Sequence, residues 1–451
     1  MKRRTFLHAA AALGLTVFAP RNVRKAGAAP IFYNGPFFVQ IHAGGGWDPT
    51  SFCDPKGGSG VAMDLKSVNR SYTPQQIGRA GPFSYAPLAL TIQGTEVYSN
   101  KRFFETHQGR LLVVNGLDTT TNNHDSGERT TWCGQTSEGY PSFAAMVAGT
   151  VNERGALPMP YLSYGGYDAT EGLVPLTRAG NVGALQRVAY PTRTNPGDPK
   201  SSTYLTPETE GRILKTQQER LKAMQAGALP YSGRSQASLY LARSSDDGVA
   251  ALAEKLAGLK IVSAQDFPDI AAVAGNLGSL TNLMQQAQLA TVAFSAGVAV
   301  SVNLSIGGFD THSNHDTDQT EQLMILFRGV DYLVTQLAAV GILDRTVIMM
   351  GSDFGRTPYY NVGNGKDHWN ITSMMFMGAG VPGGRLIGAS DGGFKPKSVV
   401  PSTLATVDDP AAGKRIETKH VHRALRRLAK IDSHPFAGQY PLVGEDMPLF
   451  G

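Results

Sequence analysis

This chain is short of cysteine, of aromatic side chains and of long apolar runs. Only two cysteines, Cys53 and Cys133, occur among its 451 residues. No Cys-x-x-Cys and no Cys/His spacing is present, which removes structural zinc fingers, iron–sulfur clusters and c-type haem attachment. In an oxidising compartment the pair allows one disulfide, with two separate buried thiols as the alternative. Aromatic residues make up 8% of the chain and glycine fills 52 positions, a composition that suits a loop-rich α/β globule. A membrane-spanning helix needs about 20 apolar residues. The candidate near the N-terminus falls short of that and is broken by His8, Gly14 and Thr16. Phosphate-binding and esterase motifs are missing too. Ala43-Gly44-Gly45-Gly46-Trp47 lacks the dinucleotide spacing, Gly365-Lys366 is followed by Asp367, and no Gly-x-Ser-x-Gly occurs. Internal repeats and low-complexity tracts are absent.

The formal charge is +5, yet its distribution argues against nucleic acid as a partner. Lys2, Arg3, Arg4, Arg21, Arg24 and Lys25 all precede Ala29 with no acid among them, so the rest of the chain carries a formal −1. A basic start, a short apolar middle and Ala26-Gly27-Ala28 describe an export signal. Arg3-Arg4-Thr5-Phe6-Leu7 gives it the twin-arginine form. The expectation is cleavage near Ala28, use of the twin-arginine export machinery, a periplasmic or secreted product, and no stable membrane insertion afterwards.

Apolar runs closed by glycine or asparagine predict strands over 36–42, 111–114, 298–306, 345–350 and 374–377. Leu323, Phe327, Val330, Val334 and Leu337 recur at helical spacing, and 280–296 reads as a second helix. Strand–helix alternation predicts a mainly parallel sheet covered on both faces, over residues 29–451. The stretch 156–267 is rich in Pro and Gly and then polar, and reads as a helical and loop insertion or cap. Residues 392–412 read as loop. Thr418–Lys430 predicts a basic amphipathic helix, with His420 and His422 read as surface residues.

Aspartates and histidines gather after these strands. Asp48 follows the first, Gly307-Gly308-Phe309-Asp310-Thr311-His312-Ser313-Asn314-His315 follows the one near 300, and Ser352-Asp353-Phe354-Gly355-Arg356-Thr357 follows 345–350. Asp367-His368 comes next. In open α/β sheets ligands bind beyond the carboxyl ends of the strands, and oxygen and nitrogen donors suit Zn, Mn, Mg or Ca. Asp310 and His312 stand two apart, so an extended backbone turns both to one side. Other readings stay open: a turn-forming Asp48 before Pro49, an Asp353–Arg356 pair, a loop-bonded His368.

These same motifs resemble the DUF1501 family, exported bacterial proteins that are similar to the alkaline phosphatase and sulfatase superfamily. The resemblance is strongest over about 280–390. It implies a three-layer α/β/α sandwich with a one- or two-metal hydrolytic site acting on small anionic esters. On it Asp48, Asp310, His312, Asp353 and His368 correspond to metal ligands, with His315 as a competitor. Phe354 stands where the superfamily has His or Asn, which takes away one ligand of a second metal. Ser126, in Asn123-His124-Asp125-Ser126-Gly127, is the candidate nucleophile at a helix start, with helix capping as the alternative. His124 is a rival ligand or acid–base group, and Arg129 and Arg356 are candidate oxyanion clamps. No Cys-x-Pro-x-Arg is present, which disfavours a formylglycine sulfatase. A metal-dependent hydrolase of phosphate- or sulfate-type esters is the leading expectation. A non-catalytic binding or cell-envelope protein on the same fold is the second. A metal-free Ser126–His124 hydrolase is disfavoured because residues two apart seldom form a triad.

Overall fold

An apolar run without alternation can be a strand only where both of its faces are covered, and the central strands are built in that way. In the computed structural model, residues 33–451 are described except for 62, 93, 154–156, 179, 199, 227–245, 258 and 268–276. The leader expected at 1–28 lies outside the described residues.

The eight strands of the main sheet are β1 (Phe37–Ala43), β2 (Leu111–Asp118), β3 (Tyr161–Ser163) and β4 (Leu176–Arg178), then β5 (Ser301–Ile306), β6 (Thr346–Ser352), β7 (Ile371–Gly378) and β8 (Arg385–Ile387). Their spatial order is β8-β2-β7-β6-β1-β5-β3-β4. All neighbouring pairs are parallel except the two that β7 makes, with β6 and with β2. Among the described residues the helices are α1 (Asn100–His107), α2 (His124–Cys133), α3 (Phe143–Val151), α4 (Val182–Ala189) and α5 (Pro207–Ala226). They continue with α6 (Asp246–Ala257), α7 (Leu277–Ser295), α8 (His315–Ala339), α9 (Thr418–Leu428) and α10 (Pro435–Gln439).

Side chains of β1 alternate between two cores. Val39 and Ile41 pack with α1, α7 and α8, while Phe38 packs with α3, α9 and α10. The sheet is therefore the middle layer of an α/β/α sandwich with a mainly parallel centre. Register sets the site. Ala43 of β1 pairs with Ile306 of β5 and Ser352 of β6, so three strands end flush and their loops open at one edge. Antiparallel β7 begins at that same edge, with Ile371 opposite Asp118, so the residues before it join the others.

Three readings of the sequence change. The stretch 156–267 supplies β3 and β4 to the sheet, so its first part belongs to the sandwich and not to a cap. Residues 392–412 include a two-residue ladder, Ser398–Val399 with Thr406–Val407. His420 and His422 are buried, not at the surface. The reason is that α9 packs its polar side on α2: His422 donates from Nε2 to Thr131 O at 2.8 Å, and His420 accepts from the Glu417 N–H at 2.9 Å. Burial pushes the His422 pKa down to about 4. Cys53 and Cys133 are separate buried thiols.

Candidate metal centre

Three loops close on one another because β1 ends in glycines. Gly45 and Gly46 have φ of +120° and +93°, and a Cβ on them would lie 2.5 Å from Asp310 N and 2.6 Å from the Phe354 ring. Only glycine admits both the conformation and the approach. Gly365 allows a similar approach on the other side, where a Cβ would lie 1.9 Å from the His312 carbonyl. Lys366 N–H donates to Thr311 O at 3.0 Å and Asn361 Nδ2 donates to His312 O at 3.0 Å, pinning the 361–368 loop to the loop after β5.

The result is a cluster of imidazoles around Asp310. His124, Asp310 and His368 each bring one ligand atom within 4.8 Å of the others. His312 Nε2 lies 3.0 Å from His368 Nε2, and both stand on Asp310 Oδ1, at 3.0 and 3.1 Å. His124 Nε2 is 3.6 Å from Asp310 Oδ2. The far side of each ring fixes its tautomer. His368 Nδ1 must donate to Asn122 O at 2.9 Å, because a carbonyl only accepts. His312 Nδ1 donates to the Asp367 carboxylate at 2.7 Å, and His124 Nδ1 to Asp353 Oδ2 at 2.6 Å. Each ring has thus given its proton outward and presents a bare Nε2 lone pair inward. Lone pairs of His312, His368 and Asp310 at about 3 Å repel unless a cation or a proton sits among them. Imidazoles oriented by a carboxylate or carbonyl behind them are the usual construction of a metal site.

Burial works against ionisation of Asp310, yet the Arg356 guanidinium, by hydrogen bond and charge, opposes it most strongly, and the carboxyl lies below the ordinary carboxylate value. Burial, helped by Arg356 and His124, keeps His368 below the ordinary histidine value despite Asp310, so it stays neutral and able to ligate. His312 holds Asp367 below the ordinary carboxylate value.

Asp353 stands behind His124, and its other oxygen lies 3.0 Å from His42 Nε2 in a charge contact without hydrogen-bond geometry. Trp132 Nε1 donates to His42 Nδ1 at 2.8 Å, which leaves the His42 proton on Nε2. Glu128 Oε1 is 3.4 Å from the same nitrogen. Burial disfavours a charged His42, but Asp353 and Glu128 outweigh it and raise its pKa. Burial also raises that of Glu128. His42, Glu128 and the Asn122 carbonyl were not singled out from the sequence. A histidine closing an otherwise apolar strand is a signal for His42, and nothing comparable in the sequence marks Glu128 or the Asn122 carbonyl.

Asp48 belongs to a second cluster. It caps the turn Pro49–Ser51, and Oδ1 accepts from Thr50 N at 2.9 Å and Thr50 Oγ1 at 2.7 Å. Oδ2 accepts from His315 Nε2 at 2.9 Å and from Lys366 Nζ at 2.6 Å. All three side chains of this ion network, Asp48, His315 and Lys366, are fully buried. Of the five candidate ligands, Asp310, His312, Asp353 and His368 therefore converge with His124, and Asp48 faces a lysine instead.

The remaining candidates are committed elsewhere. Asn123 caps α2, and the Ser126 hydroxyl bonds Thr121 Oγ1 at 2.7 Å. Arg129 donates to Thr136 O at 2.6 Å and faces Glu138. Arg356 is fully buried and serves Gly45 O, Gly46 O, Lys366 O and Asp310 Oδ1. Phe354 packs its ring against His124 and His368, with centroids 4.9 and 4.4 Å away.

Among the described residues no helix is long and apolar enough to cross a membrane. A search of curated proteins finds no match. Solved structures similar to the chain include an alkaline phosphatase from the Antarctic bacterium TAB5, at 12% identity over 77% of this chain and 92% of that one, with a TM-score of 0.30. A 2-O GAG sulfatase is 9% identical over 88% of this chain and 71% of that one, TM-score 0.32. The phosphonate monoester hydrolase of Agrobacterium radiobacter is 14% identical over 78% and 70%, TM-score 0.26. None of these likenesses assigns a role to a residue of this chain. The model described as "Protein of unknown function (DUF1501)" matches residues 38–413, from β1 through both clusters, and the protein belongs to that family.

Proposed function

We propose that the protein is a divalent-metal-dependent hydrolase of small phosphate- or sulfate-type esters, working in the periplasm or outside the cell after twin-arginine export. The observation that carries this reading is the set of three imidazoles, each with its proton donated outward, that turn bare nitrogens toward Asp310. His124, Asp310 and His368 would hold the ion, with His312 on the same carboxylate. A donor set this rich in imidazole favours Zn over Mn, Mg or Ca. When bound, such an ion supplies Lewis acidity, which lowers the pKa of water and offsets charge on an attacked ester.

The chain's own part is positioning. Asp353, Asp367 and the Asn122 carbonyl hold the ring protons away from the centre. Arg356 keeps Asp310 ionised, and Phe354 shields His124 and His368 on one side. With Arg129 and Arg356 both engaged, recognition of an anionic group falls to the ion itself. Ser126 is assigned no bond-forming step, since its hydroxyl serves the start of α2.

The same commitments favour a second reading, a metal-binding envelope protein without turnover. Elemental analysis combined with p-nitrophenyl phosphate and sulfate assays separates the two. Bound metal with metal-dependent release of nitrophenol supports the hydrolase, and bound metal with no release supports the binding protein. A chain that takes up no divalent ion removes both.

A further inference from the structure

We propose that Lys366 is a cation built into the chain where a second metal ion would sit, so that the centre takes one divalent ion and not two. This rests on the metal-binding reading above and specifies its stoichiometry. The surroundings of Lys366 Nζ form a cage of oxygens: Asp48 Oδ2 at 2.6 Å, Val68 O at 2.6 Å and Thr50 Oγ1 at 3.5 Å. A carboxylate, a carbonyl and a hydroxyl are donors that suit a hard cation, and the Tyr360 ring, its centroid 5.1 Å from Nζ, covers another side. His315 stands on the same carboxylate oxygen, its nitrogen 2.9 Å away.

Asp48 has no capacity left for a metal ion. An ionised carboxylate offers about four lone-pair sites. Thr50 N–H, the Thr50 hydroxyl, His315 and Lys366 fill four. The His315 tautomer agrees, because Nε2 carries its proton toward Asp48 while Nδ1, 2.7 Å from the Thr311 hydroxyl, accepts from it. That is the reverse of the outer histidines, whose bare nitrogens face the carboxylate.

Arg356 extends the arrangement toward Asp310. Its Nη1 donates to Lys366 O at 2.9 Å and its Nη2 to Asp310 Oδ1 at 2.6 Å. Two fixed cations therefore run from one aspartate to the other. Lys366 also anchors the segment that carries Asp367 and His368, so its burial helps to set two groups of the outer cluster.

The test counts ions per chain. Full-length protein is stripped with a chelator, reloaded with Zn2+ or Mn2+, gel-filtered and analysed for metal, with thermal melts in parallel. Native chain is expected to hold one equivalent, His368→Ala none, and Lys366→Ala two, because removal of the ammonium opens the oxygen cage. Two equivalents on the native chain overturn the inference and leave the metal-binding reading standing; none on the native chain ends both. A folded Lys366→Ala that stays at one equivalent also overturns it. If that variant does not fold, Lys366→Met with Asp48→Asn decides. One equivalent retained supports the inference, and loss of the ion makes Asp48 a ligand and sinks it.

Discussion

Asp48 and Asp310 both follow a central strand, and both stand beside a histidine and a buried cation, yet they are built for opposite ends. Asp48 is fully buried, whereas the Asp310 side chain is 47% exposed. Around Asp48 every neighbouring group points a proton at the carboxylate. Around Asp310 only Arg356 does so, and the imidazoles have been turned the other way by acceptors behind them. Residue type is therefore a poor guide to which aspartate binds a metal. The direction in which each histidine donates its proton separates a closed ion network from an open ligand set.

The largest effect that would break this contrast is loss of the buried lysine charge. Removing one partner of a buried ion pair leaves the other uncompensated and costs about 3–5 kcal/mol. Lys366→Met in metal-free buffer is expected to lose that much in urea unfolding. His368→Ala, at the half-exposed cluster, should stay within about 1 kcal/mol of wild type. Equal losses at the two positions would mean that the clusters are not different in kind.

Acid should discriminate next. A buried histidine whose pKa is depressed binds its proton less readily than the same residue in the unfolded chain. Its contribution to stability is therefore lost as pH falls from the unfolded value of about 6.5 toward the folded one. His315 is depressed by burial, and His422 lies at about 4. For His422 the window spans roughly pH 6.5 to 4 and corresponds to about 3 kcal/mol. Burial opposes ionisation of Asp48, but Lys366 and His315 outweigh it and hold it below the ordinary carboxylate value. Its stabilisation is complete above the unfolded value near 4 and fails as pH falls below that. Urea midpoints should therefore decline from pH 6.5 and steepen below pH 4. His422→Gln should lessen the slope between pH 6.5 and 4, and what remains belongs to His315, so a flat profile of that variant down to pH 4 would contradict the closed network.

A smaller change sharpens the other half of the contrast. Asp367 and Asp353 touch no ion in the proposed arrangement, yet each fixes a ring. Loss of such an orienting group typically weakens metal affinity by about 10–100-fold. Titration calorimetry with Zn2+ should show that loss for Asp367→Ala and for Asp353→Ala. Unchanged affinity in both would leave the outward protons without a purpose.

What the sequence made legible follows the same physics. Long apolar strands such as β1, β5, β6 and β7 stand out because both faces are buried, and His312 and His368 stand out because one lies with Asp310 after β5 and the other with Asp367 between β6 and β7. β3 and β4 are three residues each at the sheet edge, too short for periodicity to reveal. His420 and His422 looked solvent-facing because imidazole is polar, whereas burial with a backbone partner is set by how α9 meets α2. The role of Asp48 was hidden because its partner, Lys366, lies more than three hundred residues away. Nothing local says that a lysine will reach it first.

The smallest expected effect concerns Ser126. A serine at a helix start invites two readings, nucleophile or local hydrogen-bonding group, and they differ by orders of magnitude in outcome. The hydroxyl lies 2.7 Å from Thr121 Oγ1, and its own N–H is received by the Asn123 side chain at 3.3 Å. Both contacts lie within the turn that begins α2, so Ser126→Ala removes one short, partly exposed hydrogen bond to Thr121 and the long contacts of the hydroxyl to Asn123 O and Oδ1, at 3.4 and 3.5 Å. That costs about 0.5–1.5 kcal/mol, and metal equivalents should not change. Whatever ester hydrolysis the native protein shows should survive as well. Removing a true nucleophile can cost about a millionfold in turnover, so even a crude assay decides the matter. Abolished hydrolysis with metal content and melting intact would restore Ser126 to the chemistry. It would also mean that the open cluster around Asp310 works on a covalent intermediate and not on water alone.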